Sequence, residues 1–171
     1  VATGANAGAA LPAAYNHYLL ESTGLGAALQ WTITAPQCRV YRTTAQSISD
    51  NSLTEISFDA EDADTDSFFP GSGTTITIPN VAFGSGLYLV SGYGVFAGHA
   101  TDAKLRQIGL YISGAYIHSA FVQDADGNDT GVSFSYCVSI VATTTLRMVV
   151  KQISGGALNF SGANFAVVRI R

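Results

Sequence analysis

Charge is scarce in this sequence. Asp, Glu, Lys and Arg make up 12% of its 171 residues, where a globular domain carries roughly 25%. With two lysines, Lys104 and Lys151, and a net charge of −4, there is no basic stripe to follow a phosphate backbone, which excludes nucleic acid as a partner. Long hydrophobic runs are also missing. No stretch approaches the roughly 18 apolar residues of a membrane span, and Val1 to Gly26 has neither the basic start nor the apolar core of a secretion signal. Two cysteines, Cys38 and Cys137, are too few for a disulfide scaffold and wrongly spaced for zinc. Both lie in apolar, alternating runs and are expected to be buried free thiols. His17, His99 and His118 show no metal spacing. No nucleophile elbow, phosphate-binding loop or zincin helix is present, so no enzyme is expected. Paired carboxylates for glycoside cleavage are defined by spatial separation and leave no sequence trace.

What the chain does have is Gly, Ala, Ser and Thr, with apolar residues in short alternating runs. Little charge on a chain long enough for one well-packed domain fits either a compact β protein with a Ser/Thr surface or an exterior that largely faces other copies or a larger assembly. Alternation predicts strands near Cys38 to Thr43, Leu53 to Phe58, Thr75 to Ile78, Gly86 to Phe96, Arg106 to Ser113, Tyr116 to Gln123, Val132 to Val141, Thr145 to Ile153 and Phe165 to Ile170. Turn residues separate them, as at Pro70 to Gly73, Asp126 to Asn128 and Ser154 to Gly156. Many short strands at this spacing make a sandwich or jelly roll. Before them, Val1 to Ala10 is Ala- and Gly-rich and is expected to be held only by a partner. Leu11, Tyr15, Tyr18 and Leu19 then recur at helical spacing, with Pro12 in the first turn and Gly24 at the stop. A helix this short is marginal alone, so its apolar stripe is expected to attach to something.

Three pieces carry a resemblance. They are Gly86-Leu87-Tyr88 running on to Phe96, Gln107 to Gly114 with the Ile112-Ser113-Gly114 hairpin, and Gln152-Ile153-Ser154-Gly155-Gly156 leading to Phe165 and Arg169. In order and spacing they resemble the complement globular head, whose jelly roll is shared with tumour necrosis factor. The resemblance covers roughly Pro36 to Arg171 and implies an all-β, ten-stranded jelly-roll sandwich, with residues 1–35 an attachment segment bearing the short helix and 36–171 the head. It also implies a homotrimer. The strand Gly86 to Phe96 is apolar on both faces, so one face is expected to pack on the opposite sheet and the other on neighbouring subunits. Tyr88, Val90 and Phe96, with Tyr136 and Phe165, are assigned to that interface. The resemblance places Cys38 and Cys137 in one sheet on strands that are not neighbours, too far apart to bond.

A second resemblance rests on Pro36-Gln37-Cys38-Arg39-Val40-Tyr41-Arg42, continuing to Ile48, and on the acidic run from Phe58 to Asp66. These look like heads on tail and surface proteins of bacterial viruses. They imply a virion structural protein on the tail or capsid surface, bound to other virion proteins through Leu11, Tyr15, Tyr18 and Leu19, with a host-surface glycan or protein as a further partner. The alternative is a secreted or cell-surface adhesion module. No cofactor is required. Calcium is the one ion left open, because Asp62, Asp64 and Asp66 alternate and would lie on one side of a strand, although the EF-hand pattern fails. A solvated acidic loop is the competing reading. Asp124 to Asp129 is a weaker candidate dominated by turn chemistry. Phe68-Phe69, beside Pro70, is expected either to plug the base of the sandwich or to anchor a partner.

Overall fold

The computed structural model describes residues 18–21, 30–33, 35–80, 84–99, 104–123 and 127–171. The chain divides into two compact units, 1–34 and 35–171. In the first, β1 (Tyr18–Glu21) pairs antiparallel with β2 (Gln30–Ile33), in the register Tyr18 to Ile33. This corrects the helical reading at Tyr18 and Leu19, which are extended. The Trp31, Thr32, Ile33 run is β-branched and aromatic, and it offers those residues a ladder where an isolated short helix is marginal. Leu11 and Tyr15 lie outside the described residues, and no helix occurs among those described.

The second unit is a sandwich of two antiparallel sheets, with six and five strands. The six-stranded sheet holds β3 (Gln37–Tyr41), β4 (Gln46–Ile48), β6 (Ala60–Asp64), β8 (Gly86–Phe96), β11 (Thr130–Ile140) and β13 (Leu158–Arg169). Its order is β11-β8-β13-β3-β6, with β4 pairing the first part of β13. The five-stranded sheet contains β5 (Thr54–Glu55), β7 (Ile76–Thr77), β9 (Leu105–Ile112), β10 (Ala115–Gln123) and β12 (Thr145–Gln152). Its order is β10-β9-β12-β5, and β7 also pairs with β12.

Three differences from the expected strands have physical causes. The run from Ala60 to Asp64, read as an acidic loop, is the edge strand β6, because pairing with β3 overrides the poor strand propensity of Glu61, Asp62 and Asp64. The last strand begins at Leu158, not Phe165. A bulge between Ser161 and Asn164, with Gly162 at φ +59°, breaks its alternation and bends it from β4 towards β3. The third, β4, is only three residues long.

The core lies between the sheets, and β8 organises it. Tyr88, Val90 and Phe96 point inward and are buried. Gly92 and Gly94 occupy the same row, and the space their side chains would fill is taken by Phe134 and Met148 over Gly92 and by Phe160 over Gly94. Phe160 in turn packs on Phe96, with centroids 4.7 Å apart. A methyl group at Gly94 would enter the Phe160 ring, which has no room to retreat. Gly94→Ala is therefore expected to lower stability by about 1–3 kcal/mol. Gly131→Ala, where the new carbon would lie 3.7 Å from the Tyr93 ring, should be close to neutral. Thermal denaturation of the two variants checks the contrast.

Candidate functional site

Which face of β8 looks outward decides which residues can meet a partner. Tyr88, Val90, Phe96 and Phe165 are fully buried inside one chain, so those side chains are core and are not available to a neighbour. Tyr136 is also on the inner side, half-buried and stacked on His118 of β10 at 4.9 Å. Because β8 is apolar on both faces, its alternation alone does not show which set is inside; the two glycines do. The outward set is Leu87, Leu89, Ser91, Tyr93 and Val95, with Leu89 36% and Tyr93 46% exposed.

Around that row the outer face of the six-stranded sheet is small and nearly uncharged. Ser133, Ser135, Cys137 and Ser139 of β11 lie on one side, and Asn164, Ala166 and Val168 of β13 on the other. A shallow hollow of about 320 Å³ opens there, lined by Arg39, Ser91, Tyr93, Ser133, Asn164 and Ala166. Arg39 is held at 3.3 Å by Asp62.

The two ends of the sheets differ in a way the motifs did not reveal. β6, one edge of the six-stranded sheet, carries Glu61, Asp62 and Asp64. β11, its other edge, and β10, the adjacent edge of the five-stranded sheet, contain no Asp, Glu, Lys or Arg. On β10, Tyr116, Ile117, Phe121 and Val122 are exposed, Phe121 by 72%. A long, uncharged, apolar edge is a pairing hazard unless something covers it. The signal was present in the sequence as the absence of charge from Ala115 to Gln123.

The acidic run does not converge. Asp62 faces Arg39. Asp64 accepts from the amides of Asp66, Phe68 and Phe69, at 3.2, 2.9 and 2.9 Å. Asp66 lies beyond the strand end and accepts from the Thr65 hydroxyl. Among the described residues no three His, Cys, Asp or Glu side chains cluster as a metal would need. By turning the chain, Asp64 seats Phe68 and Phe69 in the core, where both are buried; they plug the sandwich. Two other carboxylates fasten loops. Asp50 accepts from the Ser154 and Gly155 amides at 2.7 and 2.9 Å, and Asp59 from the Thr43 amide and hydroxyl at 2.8 and 2.9 Å. These bonds hold both below the usual carboxylate range.

The cysteines divide. Cys38 is buried, and desolvation, with the nearby charges of Asp64, Glu61 and Asp62, pushes its thiol far above the ordinary range. Cys137 is exposed, correcting the expectation that both are buried, because alternation along β11 turns it outward. β8 and β13 separate their strands, about three spacings or roughly 14 Å, beyond the reach of a disulfide. No helix among the described residues is long and apolar enough to cross a membrane.

No protein-family model matches the sequence, and no curated protein is similar to it. Solved structures are similar in fold. The globular domain of zebrafish complement 1qA protein superposes with a TM-score of 0.57 at 14% identity, over 80% of this chain and 98% of that one. Murine APRIL at pH 5.0 gives 0.58 at 10% identity, over 80% and 100%. Eiger TNF from S. frugiperda gives 0.58 at 10% identity, over 80% and 93%. The head is therefore a complement-head and tumour-necrosis-factor-like jelly roll.

Two outcomes follow from the local chemistry. Cys38 should resist alkylation until the protein is denatured, as read by mass spectrometry before and after guanidinium. Asp50→Asn should melt below wild type at pH 7. A carboxyl lowered by folding contributes stability above its unfolded pKa, here 3.8, and that contribution disappears as pH falls through the folded value. The gap in melting temperature should therefore narrow as pH is lowered below 3.8 and close once the folded carboxyl is protonated.

Proposed function

We propose that the head is a non-enzymatic, homotrimeric display and binding module on the surface of a bacterial virus particle, joined to other virion proteins through residues 1–35. The observation that carries the trimer is the charge-free corner of the sandwich. Ile117 and Val122 of β10 are exposed there, and the uncharged edge strand β11 lies beside an outer sheet face bearing Leu89, Tyr93 and a hollow, while the opposite edge is acidic. An edge on one copy that fits a face on the next is a heterologous contact, and a threefold rotation between copies closes such contacts into a ring. The fold neighbours support a binding role over a catalytic one. The virion reading is supported by the Pro36 to Ile48 and Phe58 to Asp66 resemblance and by the low charge, which suits a chain packed into an assembly. An adhesion module is the second reading, favoured by the exposed aromatics of β10.

Sedimentation should give three times the 17.8 kDa chain mass at micromolar concentration, with more than roughly 2,000 Å² buried in total. Leu89→Arg or Tyr93→Asp should yield monomers in which Cys137 is alkylated faster than in wild type. A wild-type monomer overturns the trimer. For the particle, gold-labelled antibody should mark virions by electron microscopy, and deleting residues 1–26 should abolish the label while leaving the head folded. Unlabelled particles overturn the virion reading and leave the adhesion module standing.

A further inference from the structure

The outer face of the five-stranded sheet, opposite the hollow, carries an aromatic strip that neither the core nor the proposed trimer uses. Tyr116 and Tyr111 are directly opposed across β10 and β9, with ring centroids 5.3 Å apart. The Tyr116 ring does not stand up from the sheet. It lies over Gly109, where a side-chain carbon would come within 2.6 Å of its ring and hydroxyl. Its hydroxyl accepts a hydrogen bond from Gln107 Nε2 at 2.8 Å. One ring face is thus packed on backbone while the residue remains 41% exposed. Further along, Phe121 pairs with Gln107 on one side and Lys151 with Gln107 on the other, so the three form one row across the sheet. The distance from the Tyr111 row to the Gln107 row is four residues, about 13–14 Å.

We infer that this strip binds a carboxylated polysaccharide. A sugar ring offers a C–H face and a hydroxyl rim; the flat Tyr116 ring fits the first, and the Gln107 amide fits the second. The platform is held in place before a ligand arrives, so little side-chain entropy is lost on binding. Charge selects the ligand. Arg147, next to Tyr111, is neutralised by Glu55 at 2.8 Å, whereas Lys151 has no carboxylate partner among the described residues and presents a cation on the same face as the aromatics. That single cation suits scattered carboxylates and is far short of the basic track a nucleic acid strand requires. The inference deepens the reading of the head as a binding domain and does not depend on its oligomeric state or its carrier.

Native gel electrophoresis of the full chain through polygalacturonate, alginate, hyaluronan and neutral dextran tests it. At least one carboxylated polymer should retard the protein more than dextran does, and added salt should weaken the effect. Tyr116→Ala should weaken retention roughly tenfold. Gly109→Ala, which lifts the ring, should weaken it in the same direction, and Tyr116→Phe should retain most of it. Lys151→Gln should erase the preference over dextran. Retention by none of the four polymers overturns the inference, as does retention unchanged in Tyr116→Ala. Tyr116→Ala dissociating the oligomer would make the strip a subunit contact and would equally overturn it. Sedimentation of the same samples separates the two readings, since a monomer that still binds overturns only the trimer.

Discussion

Everything the head presents to the outside follows from the fit of two aromatic rings over two glycines on β8. Phe134 and Phe160 occupy the space that side chains at Gly92 and Gly94 would need. Shifting β8 by one residue would turn Leu89 and Tyr93 inward, set Tyr88 and Phe96 in water and leave those rings without sockets. The register is therefore specified from inside the core. The outward row of Leu89, Ser91 and Tyr93 is its consequence, and with it the hollow beside Arg39 and the face on which copies are proposed to meet.

Charge placement provides the second constraint. A chain with few charges has few with which to guard its sheet edges, and this one places three carboxylates on β6 and none on β10 or β11. Elsewhere its carboxylates act as ties. Asp50 holds the turn between β12 and β13, Asp59 holds the chain just after β3, and Asp64 turns Phe68 and Phe69 into the core. A run that reads as a cation loop is thus an edge guard and a cap. Its members are distributed among Arg39, backbone amides and a threonine hydroxyl instead of converging on one point.

Much of the fold was legible because strand alternation is local. Alternation gives β8 its observed ends and β9 and β10 to within a residue, and the separation of Cys38 from Cys137 follows from the resembled topology. What was not legible depends on partners distant in sequence. β6 is a strand only because β3 pairs with it, and the first half of β13 is hidden by the Gly162 bulge. Both faces of β8 are apolar, so its sequence allows Tyr88 and Val90 to face a neighbouring subunit, and only the rings arriving from β11 and β13 turn them inward. The Tyr116 platform needs Gly109 and Gln107 from the neighbouring strand beneath and beside it, so a tyrosine read in isolation carries no such signal.

The two surfaces lie on opposite sides of a sandwich whose sheets are about 10 Å apart, so one can be covered by neighbouring copies while the other stays open to a ligand. They are not independent. β10 carries Phe121 on its ligand-facing side, and it carries His118 on its inner side, where that ring stacks on Tyr136 of β11. β10 is thus the one strand that belongs to both the strip and the uncharged corner. Its register against β9 is shifted by a bulge between Tyr116 and His118. That single extra residue lets Tyr116 lie outward over Gly109 while His118 and Ala120 still face the core. Without it, strict alternation would put Tyr116 and His118 on the same face, and the platform and the stack could not both form.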